Sequence, residues 1–296
     1  MMLTLSDMAV DVLTCDDGRE KTARAARHAA AWRAAKAAGQ PIALGCARPP
    51  DQPARPTAPV LLDPRDVPRR RPGTQTGRTA LLHALAHIEL NAVDLHWDII
   101  ARFAHVPMPN SFYDDWVQAA DDEAKHFNLV CDVLEAKGSF YGAMPAHAGM
   151  WQAATDTSHD LLARLAVVPM VLEARGLDVS PQMIELFAAH KDEAALAALN
   201  VIYREEVAHV AYGSKWFNWL CGQAGRDPRD SFHDLVRRYF HGALKPPFNE
   251  EKRAEAGIPP DFYWPLAEKN RRSMATKRRE NPLNRQVFAK TGAKLP

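Results

Sequence analysis

Two short phrases carry residue types that bind metals, at a helical spacing: Glu123-Ala-Lys-His126 and Glu206-Val-Ala-His209. A Glu and a His three positions apart on an α-helix project about 60° from one another around the axis, so one face can offer a carboxylate and an imidazole to one ion. With 14 Glu and 12 His in 296 residues, composition alone supplies about 0.6 Glu-x-x-His matches (14 × 12 / 296), and a single pair means little. Two further acidic residues complete a template. Glu89, inside Leu85-Ala-His-Ile-Glu-Leu-Asn-Ala-Val93, precedes Glu123 by 34 positions; Glu173, inside Val167-Val-Pro-Met-Val-Leu-Glu-Ala-Arg175, precedes Glu206 by 33. A di-metal carboxylate site in a four-helix bundle takes one Glu from each of two helices and Glu-x-x-His from each of the other two. Glu89, Glu123, Glu173 and Glu206 are therefore the candidate bridging carboxylates, with His126 and His209 as terminal ligands.

A carboxylate and imidazole set without soft sulfur suits two iron ions, with manganese or a mixed Mn/Fe pair as alternatives. The competing reading is solvated charge on amphipathic helices, which fits Glu135, Glu185 and Glu193. Ile88-Glu-Leu90 and Val171-Leu-Glu173 instead set carboxylates in apolar sequence, where burial without a partner costs several kcal/mol. Asp122 and Glu205 directly precede the two ligand glutamates, four residues before their own helix's histidine. Each is a candidate to hydrogen-bond an imidazole N–H from outside the ligand set. Glu205 also competes with Glu206 as ligand, since Glu205 and His209 form an i, i+4 pair; the 33/34 spacing favours Glu206. His96, Trp116 and Trp216 each lie seven residues from a ligand and share its face. A channel or redox role is open to them, and packed core is the plainer reading. His83, His87, His147 and His159 receive no role.

These ligands need four long helices. The first spans about Gly77 to His105 and ends at Pro107-Met-Pro109; the second, capped by Ser111, spans about Phe112 to Lys137 and stops at Gly138. In two antiparallel helices, residues equidistant from the turn lie level. The midpoint of Glu89 and Glu123 is position 106, inside that turn, so the two face each other. The second pair is less regular: a helix from about Ser158 to Arg175, bent at Pro169 and stopped at Gly176, a short helix from Ser180-Pro181 to about His190, then a helix from Asp192 to about Cys221. The midpoint of Glu173 and Glu206 falls near 190, beyond the expected break at Gly176, which leaves that alignment open. Residues 139–156 read as a long connection.

Nine prolines between Pro41 and Pro72 exclude helix interiors and central strands there. An extended arm packed on the bundle through Val60-Leu-Leu62 is expected. Before it, Lys21 to Ala38 reads as a surface helix; after residue 226, Phe232 to Phe240 reads as another, followed by a tail anchored by Phe248 and Phe262-Tyr-Trp264. Basic and acidic residues nearly cancel, 37 against 36, so no global field draws nucleic acid or acidic membrane; Arg69-Arg-Arg71 and the run from Lys269 to Arg279 are local exceptions. The cysteines Cys15, Cys46, Cys131 and Cys221 suggest neither a disulfide framework nor a thiolate site. The most apolar stretch, Leu161 to Leu172, is 12 residues with Arg164 inside it, too short to span a bilayer. With no signal peptide legible at the N-terminus, the expected location is cytoplasmic.

Beyond the ligands, Gly77-Arg-Thr-Ala-Leu-Leu-His-Ala-Leu-Ala-His-Ile-Glu-Leu90, Asp122-Glu-Ala-Lys-His-Phe127, Leu172-Glu-Ala-Arg-Gly-Leu-Asp-Val-Ser-Pro181, Glu206-Val-Ala-His-Val-Ala-Tyr-Gly213, Pro53-Ala-Arg-Pro56 and Lys245-Pro-Pro-Phe-Asn249 resemble the bacterial ferritin-like proteins of domain-of-unknown-function family 455. The resemblance implies a ferritin-like bundle with a di-metal site at the six residues named above, and it implies no particular reaction. More distantly, the pattern is similar to tRNA-hydroxylating diiron monooxygenases and to other diiron oxygenases and ferritins.

The expected fold is all-α: a ferritin-like four-helix bundle over residues 74–225, an N-terminal helix and Pro-rich arm over 1–73, and a C-terminal helix and tail over 226–296. The expected function is an O2- or peroxide-activating diiron oxidoreductase, monooxygenase-like, acting on a small molecule or RNA, with an electron-donor protein and a second copy of the chain as candidate partners and no membrane. The alternatives are a non-catalytic or ferroxidase-type iron-handling protein, and a tRNA-modifying hydroxylase.

Overall fold

The computed structural model describes residues 3–68 and 70–267, so Arg69 and the basic run from Lys269 to Arg279 lie outside the described residues. Those described are helical, with no strand beyond one isolated bridge, Leu61 to Ala146. The helices are α1 (Leu5–Leu13), α2 (Gly18–Ala37), α3 (Gln75–Arg102), α4 (Asn110–Ala136), α5 (Gly149–Asp156), α6 (Leu161–Val167), α7 (Ala174–Ala189), α8 (Glu193–Gln223), α9 (Pro228–Tyr239), α10 (Glu250–Glu255) and α11 (Pro260–Tyr263). A π-helical turn, Val168–Glu173, joins α6 to α7. Along their lengths α3 packs on α4, α4 on α8, and α8 on α7, while α1 lies on α3 and α2 on α4. No helix among the described residues is long and apolar enough to cross a membrane.

The α3–α4 hairpin is regular. Thr74 caps α3 by accepting from Gly77 N–H, and α4 ends at Lys137 with Gly138 following at φ 71°, the left-handed conformation that glycine adopts without strain. The expected cap at Ser111 is displaced: α4 begins at Asn110 after Pro109, with no side-chain cap. The extended backbone of Pro109 already turns the chain into the helix, which places Ser111 inside the first turn.

The second hairpin corrects the sequence reading. Neither Gly176 nor Ser180-Pro181 breaks the helix; α6, the π-turn and α7 run on to Ala189. Gly176 has open space around it and no left-handed backbone, so it weakens the helix without ending it. Pro181 leaves the carbonyl of Leu177 without its helical donor, and Asn249 Nδ2 donates to that oxygen at 3.1 Å. The chain then reverses over His190 to Asp192, with Lys191 at φ 52° and Asp192 capping α8 through Ala195 N–H. The turn thus falls where the midpoint of Glu173 and Glu206 lies, and the levelling that holds for the first hairpin holds for this one.

Pro169 is accommodated rather than kinked. It has no N–H for the ladder, and the ladder widens there so that Ala174 N–H reaches Pro169 O. Opposite it stands Gly213 of α8: a Cβ at that position would come within 2.5 Å of the Pro169 ring. The missing side chain lets α8 close on the turn that carries Glu173.

Parts of the connections also differ from expectation. Residues 149–156 form α5, and Arg164, fully buried, ties α6 back to it and to α3 by donating to Ala154 O, Thr157 Oγ1 and Asp98 Oδ2. The Pro-rich arm packs, but not through Val60 and Leu61, which stay 64% and 40% exposed. Its hold is by backbone instead, through Leu62 N–H to Ala146 O and Ala146 N–H to Val60 O, with Pro53 and Pro59 buried. The tail anchors are as expected in kind: Phe248 packs edge-on against Tyr263 and Trp264. Arg253 is stacked on Phe248 and Tyr263 and paired with Asp178 at 2.7 Å. All four cysteines are free.

Candidate metal centre

Six of the residues singled out by type and spacing project into the space among α3, α4, α8 and the π-turn, and all six are buried: Glu89, Glu123, His126, Glu173, Glu206 and His209. Glu89, Glu123, His126 and Glu206 each bring one ligand atom within 4.8 Å of the others, a spacing at which one cation can be held. His209 Nδ1 sits 2.9 Å from Glu123 Oε1 and 3.8 Å from Glu206 Oε2. His126 Nδ1 sits 3.5 Å from both Glu89 Oε2 and Glu123 Oε2. Glu173 is not part of the four-residue group.

The hydrogen bonding is incomplete in an informative way. Glu89 Oε2, Glu123 Oε2, Glu173 Oε2, Glu206 Oε2 and His126 Nδ1 are all buried and all lack a hydrogen-bond partner among the described residues. Buried polar atoms in folded proteins are satisfied with few exceptions, and each exception calls for a cause. Here five orphans belong to the residues whose spacing marked them as ligands.

Protons partly stand in for cations. Burial, reinforced by the Glu123 charge, raises Glu89 well above the carboxylate range, and the same two causes hold Glu206 at about 8. Burial acts the same way on Glu123, but interactions with His126 and His209 outweigh it and hold that carboxyl well below its ordinary value. Burial disfavours charge on both imidazoles as well. The carboxylates override it, Glu123, Glu205 and Glu89 at His126, and Asp122, Glu123 and Glu206 at His209, and both histidines are raised well above the usual range.

Asp122 and Glu205 touch imidazoles, but each touches the other helix's histidine. Glu205 Oε2 meets His126 Nε2 at 2.8 Å, and Asp122 Oδ2 meets His209 Nε2 at 3.5 Å. The i, i+4 contact within one helix is not the one formed, because the outer nitrogen of each ring extends across the α4–α8 seam to the carboxylate standing level on the neighbour. As one partner advances from 122 to 126, the other retreats from 209 to 205, so α4 and α8 run antiparallel and the two contacts are reciprocal. Lys125 closes the seam from outside, 2.8 Å from Asp122 and 2.7 Å from Glu205. His126 and Lys125 lower Glu205 to about 2 against partial burial. A carboxylate on the outer nitrogen fixes a ring's orientation and raises its basicity as a ligand. Glu206 lies inside the group, and Glu205 stands at the rim.

Sequence reasoning undervalued His96. It is buried, its Nε2 lies 2.9 Å from Glu173 Oε1, and its Nδ1 has no partner. It also packs on Trp116 and edge-on against His209. The available signal was its seven-residue offset from Glu89, which puts it on the ligand face; type and offset alone do not separate a site neighbour from core. Trp116 and Trp216 are core residues, joined through Phe112, with Trp216 Nε1 donating to Asp115. His83 accepts from Gly142 N–H.

These features define an all-helical protein with a buried carboxylate and imidazole group able to hold metal. Over residues 14–264 the chain matches the family described as protein of unknown function DUF455, and it belongs to that family. It is 41% identical over 208 residues to an uncharacterized protein of Haemophilus influenzae, covering 69% of this chain and 72% of that one. No solved structure matches.

Proposed function

We propose that this chain is a ferritin-like di-metal carboxylate protein, with iron as the metal, that activates O2 or peroxide to oxidise a small substrate. The observation that carries the reading is the convergence of four orphaned carboxylate oxygens and one orphaned imidazole nitrogen on one buried space. Cations would satisfy all of them at once, and hard oxygen donors with imidazole nitrogens suit iron. In this reading Glu123 and Glu206 stand between the two histidines, Glu89 completes the side of His126, and Glu173, held by His96, completes the side of His209. Asp122 and Glu205 orient the rings. A bound iron pair would supply the redox electrons and Lewis acidity for the reaction. The protein's contribution is exclusion: the most open of the six candidate ligands, Glu206, is 8% exposed, which shields the site from bulk solvent and from direct contact with a large substrate.

Loading the protein anaerobically with Fe(II), then admitting O2 while following O2 uptake and absorption, tests the reading. Oxygen consumption with an O2-dependent absorption band is expected, and both are expected to be lost in Glu123→Gln. Bound iron that reacts neither with O2 nor with added hydrogen peroxide would overturn the oxidoreductase reading and leave a metal-binding scaffold.

A further inference from the structure

The Pro53-Ala-Arg-Pro56 phrase has no part in the metal centre, yet it builds one wall of a second polar space. A cavity of about 30 Å³ lies between the Pro-rich arm, α2 and the outer side of α3, lined among others by Arg55, Lys21, Asn91, Asp94 and Tyr141. Asn91 follows Glu89 by two positions, about 200° around α3, so this cavity and the metal centre lie back to back across one helix.

The wall carries an unbalanced positive charge. Lys21 is fully buried; its Nζ is paired with Asp94 Oδ1 at 2.5 Å and donates to Ala54 O at 2.8 Å. His87 is engaged elsewhere, at both ring nitrogens. A neutral ring that donates from Nε2 to His147 O accepts at Nδ1 from the Tyr141 hydroxyl, and both contacts are present, at 3.0 and 2.9 Å. Asp94 is shared, since it feels the Arg55 charge as well as that of Lys21, so one lining carboxylate stands against two cations, and Arg55 Nη1 is buried with no hydrogen-bond partner among the described residues. Asn91 is the complementary case. Its Nδ2 donates to His87 O at 2.6 Å, which orients the amide, and its Oδ1 is a buried acceptor with no donor.

Charge, hydrogen bonding and volume together restrict the occupant. Arg55 is half-buried with its Nη1 shielded from solvent, and a charge-assisted bond to that atom favours an anionic occupant over a neutral one. An occupant that accepts from Arg55 Nη1 and donates to Asn91 Oδ1 would satisfy both atoms. The volume exceeds the roughly 10–15 Å³ that one water needs but not by much, which limits it to a few heavy atoms. We propose that this cavity binds a small oxyanion that keeps one O–H of its own, with hydrogen carbonate the smallest representative. Water lacks the charge, and formate lacks the donor. The Pro-rich arm then has a role, as the element that closes an anion site against α3.

Titrating the full-length protein with sodium hydrogen carbonate, sodium formate and sodium chloride at matched ionic strength and mildly alkaline pH tests the proposal, with thermal unfolding and the ¹³C line width of labelled hydrogen carbonate as readouts. Repeating it on chelator-treated protein separates this cavity from anion binding at the metal centre. Saturable stabilisation and line broadening by hydrogen carbonate are expected, weaker with formate and absent with chloride. Arg55→Gln should weaken the affinity by at least about tenfold, the usual worth of a charge-assisted hydrogen bond. Asn91→Asp supplies the missing charge from within, and should fold and lose the response. Equal effects of the three salts, or a response that survives in both variants, would overturn the proposal and assign the cavity to water.

Discussion

The two hairpins present closely similar donors from very different constructions. In α3–α4 the helices are unbroken and a proline-marked turn lies midway between Glu89 and Glu123. In the second hairpin the candidate ligand Glu173 ends a π-turn, followed by Gly176 and Pro181, and α8 must carry a glycine to come close. The irregular helix is also braced from outside. Asp178 accepts from Arg253 Nε and Nη2 and from Asn249 N–H, Arg253 Nη2 reaches Ala174 O, and Asn249 reaches Leu177 O. The regular hairpin needs no such brace at its ligand. Ligand level is fixed by where the chain reverses, and a helix can be locally irregular without losing level so long as other segments take up its orphaned carbonyls.

The sharpest way to break the comparison is at the two lone glutamates. Glu89 belongs to the four-residue group and Glu173 stands apart with His96. Metal analysis after reconstitution should show Glu89→Gln losing nearly all bound metal and Glu173→Gln losing about half, on the two-ion site that the helical template implies. Equal losses would mean the halves are equivalent.

Next comes the brace. Arg253→Met takes away the closest partner of the buried Asp178 carboxylate, leaving Arg175 Nη1 at 3.4 Å and the Asn249 N–H, and breaking a buried pair costs about 3–5 kcal/mol, here at the low end. Urea unfolding should report that loss, with residual metal binding weakened on the Glu173 side first.

The pH dependence is smaller and has opposite signs in the two forms. Metal must displace the proton that Glu206 holds up to about 8, so affinity should fall about tenfold per pH unit below that value for each proton displaced. The metal-free fold favours the protonated carboxyl. Glu206 therefore contributes stability that is full below its unfolded value of 4.5 and lost as pH rises through 8. Metal titrations and unfolding curves at pH 6, 7 and 8.5 check both slopes.

The mildest test is Gly176→Ala. With a helical backbone and open space at that position, alanine should stabilise the protein by about 0.5–1 kcal/mol. Metal content should not change.

The clustering of these side chains was legible because a helix converts spacing into direction: Glu123 with His126, and Glu206 with His209, could share a face in no other common structure. The level of Glu89 with Glu123 was legible for the same reason. What escaped depended on neighbours distant in sequence. Gly176 and Pro181 are ordinary stop signals, overruled by Asn249 and Arg253 more than 65 residues on. The crossing of Asp122 to His209 and Glu205 to His126 is set by the antiparallel seam, which no single helix encodes. The offset of His96 from Glu89 put it on the correct face without saying that Glu173 would be its partner.

The central claim is that the orphaned oxygens of Glu89, Glu123, Glu173 and Glu206 are metal donors. The most direct measurement is the metal content of freshly purified and iron-reconstituted protein by mass spectrometry, with Glu123→Gln alongside. About two irons per chain, lost in the variant, is the count a two-ion helical site requires. No metal above background after reconstitution, in a protein that remains folded, would contradict it.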